Sequence, residues 1–224
     1  VFTGEYTADG GKGGLQALDQ RQFARACETE FRPLARLESL ADDIAEGCYT
    51  ARTRHCPVLL NMPQALWEAE LKWDWTYTPS RQFVPPQGDA PPATRVEAVA
   101  EMLSQAQRPV IVAGRGAARA GARQALEQLG ERVGALLATS LVAKGFFDGH
   151  PYDVGIAGSF SSAATEQVLA EADLVIGFGA SLNFFSTEGG MLFPSAQVVR
   201  VDTRAHAAAV GFTPGHWLQG DARE

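Results

Sequence analysis

The chain has 224 residues, of which 46% are hydrophobic and 20% are charged, a composition that is ordinary for a globular protein. Its formal net charge of −7 argues against a nucleic-acid partner, because phosphate binding requires clustered lysines and arginines. No hydrophobic run approaches the roughly 20 residues that a membrane-spanning helix needs, so we expect no membrane partner. The three cysteines include no Cys-x-x-Cys pair, which predicts a reduced, cytoplasmic protein without a zinc site.

The first part of the chain predicts a helix followed by a strand. Apolar residues recur at helical spacing from Leu37 to Cys48, which is typical of an amphipathic helix. The apolar run from Pro57 to Pro63 is bounded by prolines and predicts a short strand. Residues 1–14 are rich in glycine and show no periodicity, so we expect no strand ahead of this one and a first domain that is truncated at its start.

The segment from 67 to 92 predicts a connection between two domains. Prolines are frequent here and periodicity is weak, which disfavours helices and central strands. Trp67, Trp73, Trp75 and Tyr77 also fall in this segment. A free linker would not expose so many large aromatic rings, so we expect them to pack against the surface of a domain.

The rest of the chain alternates helices with strands. Thr94 and Glu97 have the spacing of a capping box, which predicts that a helix begins at Thr94. Strands are predicted at Pro109–Ala113, Ala135–Thr139, 173–179 and Gln197–Asp202, with a last short segment at Trp217–Gln219 and helices at 120–132 and 162–172. This alternation predicts an α/β fold with a doubly wound parallel sheet and right-handed crossovers.

Small residues follow two of these strands. Gly114 and Gly116 come after one strand, and Gly179, Ala180 and Ser181 close another. In open α/β sheets, ligands bind at the carboxyl ends of the strands, where glycine lets the backbone approach a ligand closely. The third position of a G-x-G-x-x-G fingerprint holds an arginine, so a standard NAD site is not predicted. Two interpretations stay open, a contact with a differently placed nucleotide and a tight turn from strand to helix.

Other polar residues also allow two interpretations. Asp202 ends a strand and could accept a hydrogen bond from a ribose hydroxyl, or could simply cap a turn. The segment from Gly158 to Ser162 precedes a helix, so its amides and hydroxyls could hold an anion, although capping by serine explains the segment equally well. The four histidines show no metal-ligand spacing, and we expect no metal ligand in the chain.

Several motifs occur in an order that is recognisable. They are Arg108-Pro-Val-Ile-Val-Ala-Gly-Arg-Gly116, Ala143-Lys-Gly-Phe-Phe147 with His150-Pro151, Ala172-Asp-Leu-Val-Ile-Gly-Phe-Gly179 and Val201-Asp202. In this order they resemble the central domain of thiamine diphosphate-dependent enzymes of the acetolactate synthase and 2-oxo acid decarboxylase group. The run from Pro57 to Pro63 resembles the end of that family's pyrimidine-binding domain. The resemblance implies a pyrimidine-domain part at 1–66, a linker at 67–92 and a central domain at 93–224.

The resemblance implies a fragment of an enzyme that uses thiamine diphosphate and Mg²⁺ to make or break carbon–carbon bonds in 2-oxo acid substrates. The segment Leu15-Gln-Ala-Leu-Asp19 resembles one that carries a glutamine near the active site, here Gln16. The glutamate that activates thiamine and the Gly-Asp-Gly motif that holds magnesium and diphosphate have no counterpart, since Gly220-Asp221-Ala222 lacks the third glycine. We therefore expect no catalytic residue in this chain, no activity from the fragment alone, and a homodimer or homotetramer at full length.

The resemblance also bears on a nucleotide in the central domain. In members that carry FAD, the nucleotide lies at positions matched here by Gly114, Gly116, Gly179, Ala180 and Asp202, and Ser181 belongs to the same candidate site. Ser159-Phe160 stands where acetolactate synthases have Met-His, and an arginine-rich stretch after the Gly-Ala is replaced by Ser181-Leu-Asn-Phe184. The resemblance thus implies FAD, ADP or an empty central domain.

A second class of function fits the same pattern of strands and glycines. The chain could be a stand-alone nucleotide- or flavin-binding module similar to a domain of electron-transfer flavoproteins. In that interpretation Gly179, Ala180 and Ser181 would form the working site. The two interpretations differ in whether this sequence belongs to a longer enzyme.

Overall fold

The computed structural model describes residues 1–5, 18–74, 76–82, 90–204 and 211–224. The chain forms two compact units, Val1–Pro86 and Gln87–Glu224. Each unit contains its own parallel sheet with helices in the connections between strands. The predicted α/β class is therefore confirmed.

The first unit contains a three-stranded parallel sheet. Its strands are β1 (Phe2–Glu5), β2 (Glu30–Pro33) and β3 (Val58–Pro63), in the order β1-β3-β2. Its helices in the described ranges are α1 (Gln20–Ala26), α2 (Leu40–Arg54) and α3 (Gln64–Trp67). The helix predicted from Leu37 to Cys48 corresponds to α2. Leu34, Val58 and Leu60 form the buried core of this unit.

The expectation that no strand precedes β3 is wrong. β1 pairs with one edge of β3, with Phe2 opposite Leu60, and β2 pairs with the other edge, with Glu30 opposite Val58. Both strands have four residues and lie at the edges of the sheet. Short edge strands with partly exposed side chains need no continuous apolar run, so their sequences carry little periodic signal.

The second unit contains a doubly wound sheet of six parallel strands. The strands are β4 (Pro109–Ala113), β5 (Leu136–Thr139), β6 (Asp153–Ile156), β7 (Leu174–Phe178), β8 (Gln197–Asp202) and β9 (His216–Gln219). Their order is β6-β5-β4-β7-β8-β9, so the chain winds outward from β4 in one direction and from β7 in the other. The topological switch point, where such sheets bind ligands, lies between β4 and β7.

Helices and apolar clusters cover both faces of this sheet. The helices in the described ranges are α4 (Ala93–Gln105), α5 (Arg115–Ala120), α6 (Arg123–Val133), α7 (Ala163–Ala170) and α8 (Phe184–Thr187). Along β4, Val110 and Val112 belong to one buried cluster, and Ile111 and Ala113 belong to another. Successive side chains of a strand point to opposite faces, so β4 is buried on both sides.

The predicted capping box does not form. α4 begins at Ala93, and in the described chain no side chain caps this helix, whose N-cap residue is Pro92. The carbonyl of Pro92 accepts hydrogen bonds from the amides of Arg95, at 2.9 Å, and Val96, at 3.2 Å. Proline fixes the backbone that leads into the helix, so the helix begins one residue earlier and Thr94 lies inside its first turn.

The aromatic residues of the segment between 67 and 92 differ in their surroundings. The ring of Trp67 packs on β1, where a Cβ added at Gly4 would lie 1.9 Å from its Cζ2 atom. Trp73 and Tyr77 are exposed, and Trp75 lies outside the described residues. Trp67 therefore packs as expected, and Tyr77, although exposed, contacts Cys48 of α2 through a hydrogen bond. No helix in the described ranges is both long enough and apolar enough to cross a membrane.

Candidate functional site

The residues predicted to contact a nucleotide gather at the carboxyl edge of the second sheet. Gly114 follows β4, Gly179 and Ala180 follow β7, and Asp202 ends β8. Gly116 lies in α5, two residues beyond Gly114, and Ser181 follows Ala180. Because β4, β7 and β8 are neighbours, the six residues meet at the switch point and beside it. Gln16, the predicted neighbour of the active site, lies outside the described residues.

The glycine turn after β4 is in direct contact with the loop after β7. The amide of Gly114 donates to the carbonyl of Phe178 at 2.9 Å, and the amide of Gly116 donates to the carbonyl of Gly179 at 2.9 Å. A Cβ added at Gly114 would lie 2.3 Å from that Gly179 oxygen and 2.4 Å from the Cα of Ala180. Close backbone packing therefore requires glycine here even without a ligand.

Both carboxylate oxygens of Asp202 are held by groups of the same chain. The guanidinium of Arg200 donates to Oδ2 at 2.8 Å, and the backbone amide of Arg204 donates to Oδ1 at 3.1 Å. The side chains of Arg200 and Asp202 are 1% and 10% exposed, so this is a buried ion pair. Arg200 and Asp202 are two residues apart on β8, which places them on one face of the strand.

A tryptophan of the neighbouring strand covers the arginine. Arg200 lies opposite Trp217 in the register between β8 and β9. The guanidinium carbon of Arg200 is 4.5 Å from the centroid of the Trp217 ring, within the range of a cation–π interaction. The carboxylate on one side and the aromatic ring on the other hold the guanidinium in place.

In the serine segment before α7, the hydroxyl groups of two serines form hydrogen bonds with nearby backbone amides. The hydroxyl oxygen of Ser162 accepts a hydrogen bond from the amide of Thr165 at 3.2 Å and caps the helix. The hydroxyl oxygen of Ser161 accepts from the amide of Gly158 at 2.9 Å. Of the two interpretations of this segment, helix capping is the one that the structure shows.

Sequence reasoning missed Arg200, although a signal was present. Arg200 is a charged residue inside an otherwise apolar strand, and it precedes Asp202 by two positions. In a strand, residues two apart share a face, and a buried charge requires a partner. These two rules together would have predicted the pair before the structure was known.

The described ranges contain neither a candidate metal site nor a disulfide. No set of three or more His, Cys, Asp or Glu side chains is arranged there to hold a metal ion. Cys27, Cys48 and Cys56 all lie in the described ranges and are free thiols. The Cys48 thiol forms a hydrogen bond with Tyr77, which raises the pKa of that phenol.

Comparison with known proteins identifies the family. Residues 96–224 match the family model described as thiamine pyrophosphate enzyme, central domain. Over 217 residues the chain is 30% identical to the probable 2-ketoarginine decarboxylase AruI of Pseudomonas aeruginosa, covering 96% of this chain and 38% of that protein. Over 205 residues it is 31% identical to a sulfoacetaldehyde acetyltransferase of Rhodobacter capsulatus, covering 86% of this chain and 32% of that protein.

Similarity extends to an acetolactate synthase and to a solved structure. The chain is 28% identical over 170 residues to the acetolactate synthase large subunit of Corynebacterium glutamicum, covering 71% of this chain and 26% of that protein. A structure described as a thiamin diphosphate-dependent enzyme from Mycobacterium smegmatis superposes with a TM-score of 0.62 at 25% identity, covering 86% of this chain and 37% of that one. The chain thus spans about a third of the length of the relatives it matches. Because the family model matches more than half of the chain and confirms the resemblance found in the motifs, the chain belongs to the thiamine pyrophosphate enzyme family and contains its central domain.

Proposed function

We propose that this chain is part of a longer enzyme that uses thiamine diphosphate and Mg²⁺ to make or break the bond next to the carbonyl of a 2-oxo acid. The observation that carries the proposal is the alignment with AruI, which covers 96% of this chain and so includes both units. The compound in that relative's name, 2-ketoarginine, is a 2-oxo acid, and other relatives are named acetolactate synthase. When bound, thiamine diphosphate would supply a nucleophilic carbanion and a cationic thiazolium ring that accepts electrons, which is the chemistry that bond making or breaking next to a carbonyl needs.

The two units have different roles in this proposal. Residues 1–66 are the C-terminal part of a pyrimidine-binding domain, residues 67–92 are the linker and residues 93–224 are the central domain. Gln16 lies near the active site of the complete enzyme. The described residues of the central domain provide a rigid scaffold, which is supported by the burial of all residues of β4 and of all but the last residue of β7.

The proposal includes a homodimer or homotetramer of the complete enzyme in the cytoplasm. Two exposed phenylalanines support an interface with a second copy, because Phe160 is 65% and Phe185 is 69% exposed. The segment that contains Phe160 lies beside α8, which contains Phe185, since the amide of Ser159 donates to the carbonyl of Phe185 at 2.9 Å. Neighbouring exposed aromatic side chains are typical of interaction surfaces. Light scattering of the complete enzyme should give the mass of a dimer or tetramer. The double variant Phe160→Ser, Phe185→Ser should have a larger fraction of monomer.

The function is tested on the protein made from the complete reading frame that contains this sequence. We expect turnover of at least one 2-oxo acid from a panel of pyruvate, 2-oxobutanoate and 2-ketoarginine, with product formation that requires both thiamine diphosphate and Mg²⁺. A folded protein that turns over none of them and does not bind thiamine diphosphate in a fluorescence titration would contradict the proposal. The same protein with thiamine in place of the diphosphate is the matched control.

A further inference from the structure

We infer that Asp202 is a structural partner of Arg200 and does not bind a nucleotide ribose, so the carboxyl edge of the second sheet is not an adenine-nucleotide site. The resemblance to FAD-carrying members implies a nucleotide at this edge, with Asp202 among the residues that hold it. In two independent places at this edge, groups that would bind the nucleotide form hydrogen bonds within the protein instead. The disagreement concerns the central domain alone and does not depend on which substrate the enzyme uses.

The first place is the carboxylate that a ribose would need. Oδ2 of Asp202 accepts from the Arg200 guanidinium at 2.8 Å, and Oδ1 accepts from the Arg204 amide at 3.1 Å. Each carboxylate oxygen could accept a second hydrogen bond, but the Asp202 side chain is only 10% exposed. A ribose hydroxyl would therefore have to push aside one of the donors that cover the carboxylate. Replacing Arg200 would leave a guanidinium that is 1% exposed without its carboxylate. Leaving a buried charge without its partner costs more free energy than one hydrogen bond from a neutral hydroxyl contributes.

The surroundings prevent Arg200 from moving aside. Its guanidinium lies 4.5 Å from the centroid of the Trp217 ring, and Trp217 belongs to β9, the strand paired with β8. The backbone of Asp202 is fixed as well, because its carbonyl accepts from the amide of Gly220 at 3.1 Å. Moving Arg200 away from the carboxylate would therefore also disturb its contact with Trp217 of β9.

The second place is the glycine turn that a diphosphate would need. Glycine loops bind diphosphates through backbone amides that point at the ligand. Here the amides of Gly114 and Gly116 donate instead to the carbonyls of Phe178 and Gly179, both at 2.9 Å. The amides of the turn thus form their hydrogen bonds with carbonyl groups at the end of β7, across the switch point. The amides of these two glycines are therefore not available to phosphates, and the Asp202 carboxylate is covered by donors of its own chain.

The test measures nucleotide binding and stability on the same protein. Calorimetric titration of the wild type with ADP and with FAD should show no saturable binding at millimolar nucleotide. Asp202→Asn should lower the unfolding midpoint of the second unit by roughly 10 °C, because it leaves Arg200 buried without a carboxylate. Glu127→Gln is the matched control, since its partner Arg123 is 2.7 Å away in an exposed pair, and it should shift the midpoint by about 1 °C or less.

A second measurement needs no variant, which matters if Asp202→Asn does not fold. Hydrogen exchange of the wild type should be unchanged by ADP or FAD in the peptides that contain residues 112–118 and 198–204. Protection of these peptides by either nucleotide would overturn the inference. Saturable binding that Asp202→Asn weakens tenfold or more would overturn it as well. Absence of binding, or binding that leaves these peptides and the Asp202→Asn affinity unchanged, supports it.

Discussion

Gly116 and Gly179 touch backbone to backbone across the switch point of the second sheet. The amide of Gly116 donates to the carbonyl of Gly179 at 2.9 Å. A Cβ added at Gly179 would lie 2.4 Å from the Cα of Gly116 and 2.4 Å from the amide nitrogen of Ala117, and Gly179 has a φ of +57°. Close approach and a left-handed backbone therefore both require glycine at this position.

Gly179→Ala should destabilise the second unit strongly. The added methyl group meets backbone atoms, which cannot move aside as a flexible side chain can, so we expect a loss of about 3 kcal/mol or more. Gly121→Ala is the matched control, because Gly121 has a φ of +65° but no described atom within 4 Å of its added Cβ. There only the backbone strain of about 1 kcal/mol is expected. Urea unfolding followed by circular dichroism measures both, and equal losses would contradict the packing argument.

The strands that were predicted well are the buried ones. β4 and β8 have the predicted bounds, and β7 lies within one residue of its predicted ends, because most residues of these buried strands are apolar and therefore stand out in the sequence. β1, β2 and β6 were missed. They have four residues each and lie at sheet edges, and all four residues of β6 are only partly buried. Their pairing depends on neighbours that are distant in sequence, which no local pattern reveals.

The candidate site was predicted in its position but not in its contacts. The rule that ligands bind at the carboxyl ends of parallel strands brought Gly114, Gly179 and Asp202 together correctly. Asp202 pairs with Arg200 of its own strand, and the register of β8 with β9 places Trp217 over Arg200. The spacing of Arg200 and Asp202 on one strand could have indicated their pairing, whereas the register with β9 follows from the tertiary fold and is not visible in the local sequence.

Ser162→Ala should destabilise the second unit, whereas Thr94→Ala should not. The Ser162 hydroxyl caps α7, with its oxygen 3.2 Å from the amide of Thr165, and losing such a cap costs about 1 kcal/mol. Thr94 lies within the first turn of α4, where no described side chain caps the helix. Alanine also favours helices more than threonine does, so Thr94→Ala should be neutral or slightly stabilising. Thermal unfolding compares the two variants, and equal destabilisation would indicate that Thr94 does cap α4.

Arg32→Lys should weaken the first unit by about 1 kcal/mol, because an ammonium cannot reproduce the planar set of guanidinium donors. Arg32 contacts Oε1 of Glu30 at 3.1 Å, Oε2 of Glu46 at 2.9 Å and the hydroxyl of Thr50 at 3.3 Å. Arg54→Lys is the control, because Arg54 makes one contact with Glu30 and its side chain is 70% exposed. Urea unfolding of both variants should show a loss for Arg32→Lys alone.

The contribution of Arg32 should not vary with pH between 6 and 9. Burial opposes the charge of its guanidinium, but hydrogen bonds to Glu46 and Glu30 outweigh burial and raise the pKa of Arg32 above its ordinary value. A group with a raised pKa stabilises the fold fully below its unfolded pKa and loses that effect only as the pH rises through the folded pKa. For an arginine this window lies above about pH 12. Free energies of unfolding at pH 6 and 9 should therefore show the same difference between Arg32→Lys and the wild type.

Asp173→Ala should destabilise the second unit from the opposite edge of the sheet. Asp173 precedes β7, and its carboxylate accepts from two successive amides ahead of β4, those of Gln107 at 2.6 Å and Arg108 at 3.0 Å. The alanine variant leaves both amides to water, and we expect a loss of about 1 to 2 kcal/mol. Asp173→Asn keeps one acceptor oxygen and should lose roughly half as much. Glu171→Ala is the control, because its 3.4 Å contact with Arg108 joins two exposed side chains and contributes less than about 0.5 kcal/mol. In urea unfolding, the loss in free energy of unfolding should be largest for Asp173→Ala, smaller for Asp173→Asn and smallest for Glu171→Ala. A loss for Glu171→Ala as large as that for Asp173→Ala would show that charge, and not the hydrogen bonds to the two amides, joins these segments.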